Sequence, residues 1–160
     1  KAMDMAEPGD VIVMEVQGDL INSVTGEIMV RYSKRRGIAG FLIDGAVRDS
    51  GAIGEIDFAV YARGVTPKGP YKDGPGEINV PINCGGVVVN PGDIVVGDED
   101  GVVIINPKDA PEIQRKAKEK SDKEAEIINN IENGKYDHNW VDKKLEAIGV
   151  EYLKRAFNEM

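Results

Sequence analysis

The feature that most constrains the fold is a change of pattern at Pro107. Before it, short apolar runs alternate with breaks rich in Gly and Pro, which predicts strands of a few residues. After it, charged residues dominate, which predicts helices. A chain of 160 residues is expected to form one domain. We therefore predict an α/β fold with a core over residues 1–107 and a charged helical extension over residues 108–160, packing on its own or a neighbouring subunit.

The same turn signal occurs twice in the first part of the chain. Glu7-Pro8-Gly9-Asp10 precedes an apolar run over residues 11–14, and Asn90-Pro91-Gly92-Asp93 precedes a second run over residues 94–96. Pro followed by Gly is typical of a type II turn. Both segments are therefore predicted to be turns that lead into strands, with no chemistry attached to them.

Between these turns the pattern indicates a strand, a helix and a strand. Residues 23–36 have helical spacing and end at Gly37, while Phe41-Leu42-Ile43 predicts a strand that leaves the sheet at the turn Asp44-Gly45-Ala46. Such a unit is normally parallel and right-handed. Further strands are predicted over residues 58–62, 77–82, 86–89 and 101–105, and helices from Asp109 to Gly134 and from Val141 to Phe157 with a break near Gly149.

Composition narrows the classes of function. The net charge of -8 makes binding to nucleic acid through a basic surface unexpected. No apolar run approaches the ~20 residues of a membrane-spanning helix. The single cysteine, Cys84, excludes an internal disulfide and fits a reducing compartment. We therefore expect a cytoplasmic protein without nucleic-acid or membrane partners.

One group of residues favours an anion at the start of the first long helix. Thr25 is predicted to cap this helix, which leaves the backbone N–H groups of Glu27, Ile28 and Met29 without partners inside the helix. Those amides and the helix dipole attract negative charge, and Gly26 allows close approach.

Arg48 and Asp49 follow the next predicted strand. In open α/β sheets the ligand crevice lies beyond the carboxyl ends of strands, so both segments are predicted to face one pocket. An arginine and two carboxylates suit a small carboxylic acid with a divalent cation, and oxygen ligands favour Mg²⁺ or Mn²⁺ over Zn²⁺. A surface ion pair or turn cap at Arg48-Asp49, and a favourable first-turn charge at Glu27, are the simpler interpretations.

Twenty residues separate Glu27 from the pair Arg48-Asp49. This spacing resembles the acidic-x20-Arg-Asp motif of the class II pyruvate aldolases that cleave 4-hydroxy-4-methyl-2-oxoglutarate. The related regulator of ribonuclease activity A is similar as well. Further matching segments follow in the same order: Asp44 to Asp49, Ala62 to Pro67, Val80 to Ile82 and Pro91 to Val95. The resemblance covers roughly Pro8 to Ile105, and the N-terminal part of the family is expected to be missing.

This resemblance implies a swivelling β/β/α domain of the RraA-like type, assembled as a trimer or hexamer with active sites shared between subunits. The implied activity is a metal-dependent lyase that releases pyruvate from a 4-hydroxy-2-oxo acid, with oxaloacetate decarboxylation through the same enolate. The alternative is a non-catalytic trimer that binds and inhibits a ribonuclease. The relatives of that type depart from the Arg-Asp pair.

The resemblance also implies roles for single residues. Asp49 corresponds to the metal-holding residue, Arg48 to the group that binds the pyruvyl part, and Glu27 to the residue that orients a water. The amides of Ile28 and Met29, beside Gly26, correspond to those that bind the substrate carboxylate.

Two further residues follow from the same resemblance. Lys72 corresponds to a lysine near the substrate, although a solvated loop lysine is the simpler interpretation. A metal-binding carboxylate comes from the neighbouring subunit's C-terminal helix, for which Glu124 and Glu126 are candidates. We choose Glu124, because it shares a helix face with Ile113 and Ile128.

Overall fold

The computed structural model describes residues 1–151. The chain divides into two compact units, of which the first comprises Lys1–Ala110 and the second begins at Pro111. The first unit contains short helices, a parallel sheet and two hairpins. The second contains the helices α4 and α5, described below.

A parallel sheet forms the centre of the first unit. Its strands in the described residues are β1 (Val11–Glu15), β2 (Ser23–Thr25), β3 (Gly40–Val47) and β4 (Ala59–Val65). β3 pairs along one edge with β1 and then β2, and along the other edge with β4. The predicted parallel arrangement is confirmed. β3 is buried along almost its whole length, as expected for a parallel strand with neighbours on both edges.

The first unit also contains three short helices, which are α1 (Ala2–Met5), α2 (Glu27–Arg35) and α3 (Ser50–Gly54). The apolar core lies between the sheet and these helices and is centred on Phe41, whose ring packs edge-to-face on Phe58 at a centroid distance of 5.1 Å. The buried core residues are Val30, Ile38, Phe41, Ile43, Val47 and Ile53. Because Val30 is fully buried, it anchors α2 to this core.

The hairpins follow the sheet in the chain. β5 (Ile82–Cys84) pairs antiparallel with β6 (Val87–Val89), and β7 (Ile94–Asp98) pairs antiparallel with β8 (Gly101–Ile105). Both predicted Pro-Gly turns are confirmed, because Gly9 and Gly92 adopt φ of +95° and +89°. In each turn the Asp carboxylate accepts the N–H of the residue three positions earlier, at 2.8 Å.

The second unit begins at Pro111 and contains almost all of α4 (Ala110–Glu132), together with α5 (Asn139–Ala147). α4 confirms the helix predicted between Asp109 and Gly134. The first part of the helix predicted from Val141 to Phe157 is found as α5. The last residues of that predicted helix lie outside the described part of the chain. Within residues 1–151, no helix is both long enough and apolar enough to cross a bilayer.

Three local predictions were wrong. Residues 23–25 form β2 rather than the first turn of a helix, because Ser23 and Thr25 pair with Ala46 and Val47 of β3. The segment Asp44-Gly45-Ala46 is not a turn but lies inside β3, where a bulge against β4 accommodates it. The strand predicted over residues 77–82 is reduced to its last residue, which begins β5.

Candidate functional site

The candidate site lies where the end of β3 meets the start of α2. Arg48 directly follows β3, and its backbone N–H donates to the Thr25 carbonyl at 3.0 Å. This bond continues the parallel pairing of β2 with β3. It therefore brings Arg48 and Asp49 beside Gly26, the residue from which α2 begins.

Gly26 is required here by space. A Cβ atom at this position would lie 2.5 Å from Asp49 Oδ2 and 2.9 Å from both Arg48 Cγ and Arg48 Nε. The backbone of Gly26 is extended, so its conformation alone does not demand glycine. The absence of a side chain is what lets the Arg48-Asp49 pair lie against the start of the helix.

Asp49 adopts a left-handed conformation, with φ of +58° and ψ of +32°, which is uncommon for a residue with a side chain. Its Oδ2 accepts the Glu27 N–H at 3.1 Å and lies 3.5 Å from Arg48 Nε. The side chains of Arg48 and Asp49 are each 43% exposed. The carboxylate is thus fixed at the positive end of α2 while remaining accessible to a ligand.

A cavity of about 50 Å³ opens beside this pair. Its wall combines the end of β2, the first turn of α2, Arg48 and one loop residue: Val24, Thr25, Gly26, Ile28, Met29, Arg48 and Pro70. The loop is held to β2, since the backbone N–H and the hydroxyl of Ser23 both donate to the Lys68 carbonyl at 2.9 Å. Pro70 was not among the predicted site residues. The loop rich in Gly and Pro that carries it was the signal that could have found it.

The structure brings most of the predicted substrate-binding residues together, because Gly26, Ile28, Met29 and Arg48 all line this cavity and Asp49 adjoins it. Glu27 does not line the cavity, and one oxygen of its carboxylate is engaged by a residue of the same helix. Glu27 Oε1 accepts from Arg31 Nε at 2.7 Å, one helical turn further along α2.

One of the three amides predicted to lack a partner inside the helix requires a correction, because the Met29 N–H is bonded to the Gly26 carbonyl at 3.1 Å. The Glu27 N–H has no partner inside the helix but is bonded to Asp49. Within the described residues, only the Ile28 N–H of the three has no acceptor. The predicted cap by Thr25 was also wrong, since the N-cap residue is Gly26, which has no side chain, and Thr25 Oγ1 makes no hydrogen bond among the described residues.

Lys72 and Glu124 are not part of this arrangement. Lys72 lies in the loop two residues beyond Pro70 and is exposed. Glu124 lies on α4 in the second unit, where its carboxylate is 3.6 Å from Lys120 Nζ. Their roles therefore stay predictions.

The side chains available at this site limit which metal ion it can hold. In residues 1–151, no three His, Cys, Asp or Glu side chains converge as a ready-made metal centre. Asp49 provides a single accessible carboxylate. Mg²⁺ keeps several water ligands and is commonly bound through one or two carboxylates and the substrate, whereas a Zn²⁺ site needs three or four protein ligands. The residues present therefore fit Mg²⁺ or Mn²⁺ rather than Zn²⁺.

Comparison with known proteins identifies the family. The sequence model of the RraA-like family, described as Aldolase/RraA, matches residues 1–104. The chain belongs to the RraA-like family. The site described above falls within the matched residues, because Gly26, Arg48 and Asp49 all precede residue 104.

Relatives of this RraA-like chain carry two kinds of name. A protein of Halalkalibacterium halodurans named "Putative 4-hydroxy-4-methyl-2-oxoglutarate aldolase" is 46% identical over 120 residues, which are 75% of this chain and 57% of that protein. The crystal structure of Streptomyces coelicolor RraAS2, described as an unusual member of the RNase ES inhibitor RraA family, matches with a TM-score of 0.73 and 34% identity, covering 78% of this chain and 64% of that one.

A third relative is the RNA-processing inhibitor RraA from Thermus thermophilus. It matches with a TM-score of 0.60 and 33% identity, and the match covers 65% of each chain. The RraA-like α/β fold is therefore common to this chain and the two solved structures. The present chain spans less than two thirds of the length of each of these relatives.

Proposed function

We propose that this protein is a divalent-metal-dependent lyase that cleaves 4-hydroxy-4-methyl-2-oxoglutarate, or a similar 4-hydroxy-2-oxo acid, to pyruvate. The observation that carries this proposal is the pairing of Arg48 with Asp49 at the start of α2, where Asp49 Oδ2 accepts the Glu27 N–H at 3.1 Å. A cation and a helix N-terminus then line one small cavity, and a carboxylate lies beside that cation. The name of the 46% identical relative supports the same reaction class.

Substrate binding follows from the charges around the cavity. The substrate carries carboxylates, for which Arg48 supplies a charged fork of donors and the Ile28 N–H supplies a donor at the positive end of α2. Retro-aldol cleavage breaks the C3–C4 bond and leaves negative charge on the pyruvyl oxygen as an enolate. Arg48 would stabilise that charge, which is a preorganised electrostatic contribution.

Asp49 would hold Mg²⁺ or Mn²⁺, largely through water molecules. When bound, the cation would act as a Lewis acid that lowers the energy of negative charge on the substrate oxygens. The carboxylate of Asp49 is 43% exposed and lies 3.5 Å from Nε of Arg48, which lines the cavity. This arrangement supports one site for both the cation and the anionic substrate.

The reaction also requires two proton transfers. In the cleavage step the proton of the 4-hydroxyl group passes to a solvent water, and the enolate carbon then gains a proton to give pyruvate. We assign to Glu27 the orientation of the water that donates this proton. The ion pair of Glu27 with Arg31 leaves the second carboxylate oxygen for that water. Lys72 would assist near the substrate from the loop.

Oxaloacetate decarboxylation requires the same groups. Loss of CO₂ breaks the C3–C4 bond of oxaloacetate and leaves the same pyruvate enolate. Because Arg48 would stabilise this enolate in either reaction, we propose oxaloacetate decarboxylase activity as well.

We further propose a homo-oligomer, a trimer or hexamer, in which Glu124 of a neighbouring subunit completes the metal site. Glu126 provides a matched control, because it lies two residues along the same helix and therefore on a different face. Glu124→Gln should raise the Mg²⁺ concentration needed for half-maximal activity, and Glu126→Gln should not. The opposite result would reassign the carboxylate, and no change in either variant would remove α4 from the site.

A second candidate function is supported by the structural neighbours. Two of them are named as inhibitors from the RraA group that act on RNA processing. A protein of this kind would bind and inhibit a ribonuclease by contact, without chemistry. Arg48, Asp49 and Lys72 are then expected to be dispensable for its action.

The deciding experiment measures pyruvate release, coupled to NADH oxidation by lactate dehydrogenase. Both 4-hydroxy-4-methyl-2-oxoglutarate and oxaloacetate should be tested with Mg²⁺, with Mn²⁺, with EDTA and with Asp49→Ala. Pyruvate that depends on metal and disappears in the variant would support the lyase. Absence of pyruvate from either substrate, in a folded oligomer at saturating metal, would refute the lyase and direct the search to ribonuclease partners.

A further inference from the structure

Thr25 has an unusual polar environment. It is the last residue of β2 and is only 2% exposed, yet its Oγ1 has no hydrogen-bond partner among the described residues. Buried hydroxyl groups in folded proteins are nearly always bonded, since an unbonded one has lost its water without compensation. The Thr25 hydroxyl is therefore a buried donor that a bound ligand would satisfy.

The usual structural explanation does not apply to this threonine. A threonine at the start of a helix commonly caps it, but α2 has Gly26 at its N-cap and no side-chain cap. The Thr25 carbonyl accepts the Arg48 N–H at 3.0 Å, and the hydroxyl takes no part in this pairing. The side-chain hydroxyl thus makes no contribution to the local structure that would account for its burial.

The position of Thr25 suggests what its partner is. Thr25 lines the cavity of about 50 Å³ together with Gly26, Ile28 and Arg48. The same cavity lies at the positive end of a nine-residue helix and beside a guanidinium group. A residue with an unpartnered donor, a helix N-terminus and a cation therefore border one small volume, and all three groups favour an anionic oxygen.

We propose that Thr25 is a further substrate-binding residue, whose hydroxyl donates a hydrogen bond to a carboxylate or enolate oxygen of the 2-oxo acid. This inference rests on the proposed function, which names the ligand class. Rotation about the Cα–Cβ bond directs Oγ1 toward the cavity when the ligand enters. The hydroxyl then shares the anion with Arg48 and the Ile28 N–H.

The chain contains a matched control for this proposal. Ser33, on α2, is also fully buried and its Oγ also lacks a partner in the described residues. Ser33 does not belong to the cavity wall. Removal of its hydroxyl therefore reproduces the loss of a buried unbonded group without removing a donor from the site.

The experiment measures pyruvate binding to the full chain in the presence of Mg²⁺ by isothermal titration calorimetry. Thr25→Val removes the hydroxyl and keeps the shape, while Thr25→Ser keeps the hydroxyl. A hydrogen bond to a charged group predicts about tenfold or more weaker binding in Thr25→Val. Thr25→Ser should stay within about threefold of the wild type on the same basis, and Ser33→Ala should bind pyruvate like the wild type.

Thermal unfolding without ligand separates binding from folding. Because the hydroxyl is unbonded in the free protein, Thr25→Val should not lower the melting temperature. Pyruvate binding that is equal in Thr25→Val and the wild type would overturn the inference and leave the lyase intact. A wild type that binds pyruvate but does not release it from either substrate would refute the lyase and leave the binding role of Thr25. A wild type that binds no pyruvate would overturn both.

Discussion

Strand β3 and helix α4 owe their structure to different interactions. Every residue of β3 is buried except Leu42, which is half-buried, and partner strands occupy both of its edges. None of the residues of α4 is buried. Instead, ion pairs between residues four positions apart join its turns, as between Lys116 and Glu112 at 2.8 Å.

This difference decides what each element can contribute to a site. Residues that follow β3 have positions fixed by long-range pairing, so the Arg48 N–H bonds to the Thr25 carbonyl and holds Arg48 and Asp49 beside Gly26. Residues on α4 lack such a buried anchor, since none of them is buried. The proposed role of Glu124 depends on the proposed oligomer, in which a neighbouring subunit places α4.

The largest expected effect is a loss of stability when a core side chain of β3 is removed. Phe41→Ala removes a fully buried ring that packs on Phe58 and should lower the free energy of unfolding by about 3–5 kcal/mol. Ile128→Ala, on α4, should change it by less than about 0.5 kcal/mol, because the side chain is 55% exposed. Urea unfolding of both variants tests the contrast. A similar loss in both would mean that α4 has a buried partner in the assembled protein.

The next effect concerns activity rather than stability. Gly26→Ala would place a Cβ atom 2.5 Å from Asp49 Oδ2, and the flexible side chains of Asp49 and Arg48 would have to move. Displacement of catalytic groups by about 1 Å can cost on the order of 100-fold in rate, so we expect at least that loss in kcat/KM for pyruvate release. The fold should survive, since no backbone atom is displaced.

Gly51→Ala is the matched control. Gly51 lies in α3, and a Cβ atom there would meet no other atom within 4 Å. Its activity should equal that of the wild type. Retention of full activity by Gly26→Ala would show that the Arg48-Asp49 pair is not catalytic.

The contrast between β3 and α4 also explains how much could be predicted from the sequence. The turns at Pro8-Gly9 and Pro91-Gly92, the strand after Gly40 and the helix from Ala110 are local signals, and each was recognised. The nearness of Arg48-Asp49 to the start of α2 followed from the rule that strand ends share one edge of a sheet. These features depend on short-range chemistry or on topology alone.

Features that depend on long-range pairing were missed. β2 has only three residues, and nothing in Ser23–Thr25 predicts a strand until β3 is present to pair with it. The extension of β3 through Asp44 depends likewise on β4, whose Arg63 Nε lies 2.8 Å from the Asp44 carboxylate. The partner of the Glu27 carboxylate was missed for another reason. Arg31 lies four residues after Glu27, a spacing that favours an ion pair on a helix. The spacing does not tell whether the Glu27 carboxylate binds Arg31 or faces the site.

An intermediate effect is expected where α1 contacts α2. The Tyr32 hydroxyl donates to Asp4 Oδ1 at 2.7 Å. This hydrogen bond lowers the pKa of Asp4 below its ordinary 3.8 and raises the pKa of Tyr32 above its ordinary 10.0. Asp4 therefore contributes stability that is complete above pH 3.8 and is lost as the pH falls through its lowered pKa. Tyr32 contributes stability that is complete below pH 10.0 and is lost as the pH rises through its raised pKa.

Tyr32→Phe removes both contributions. The difference in melting temperature between the wild type and this variant should be constant between about pH 5 and pH 9 and should shrink at both extremes. Tyr71→Phe, at a tyrosine that is 83% exposed, controls for the loss of a surface hydroxyl. A difference that does not change toward low pH would show that Asp4 is not the partner that matters.

The smallest expected effect is the loss of stability when one ion pair on the surface of α4 is broken. Glu112→Gln breaks the ion pair with Lys116, whose two side chains are each 64% exposed. Exposed pairs of this kind stabilise a helix by about 0.3–0.5 kcal/mol, and salt screens them, so the loss should disappear at high ionic strength. Circular dichroism during thermal unfolding, at low salt and at high salt, measures it. Glu126→Gln is the control, since Glu126 forms no ion pair within the described residues. A loss above about 1 kcal/mol that persists in salt would exceed what a solvated pair supplies, and would show that this face of α4 is buried against another subunit.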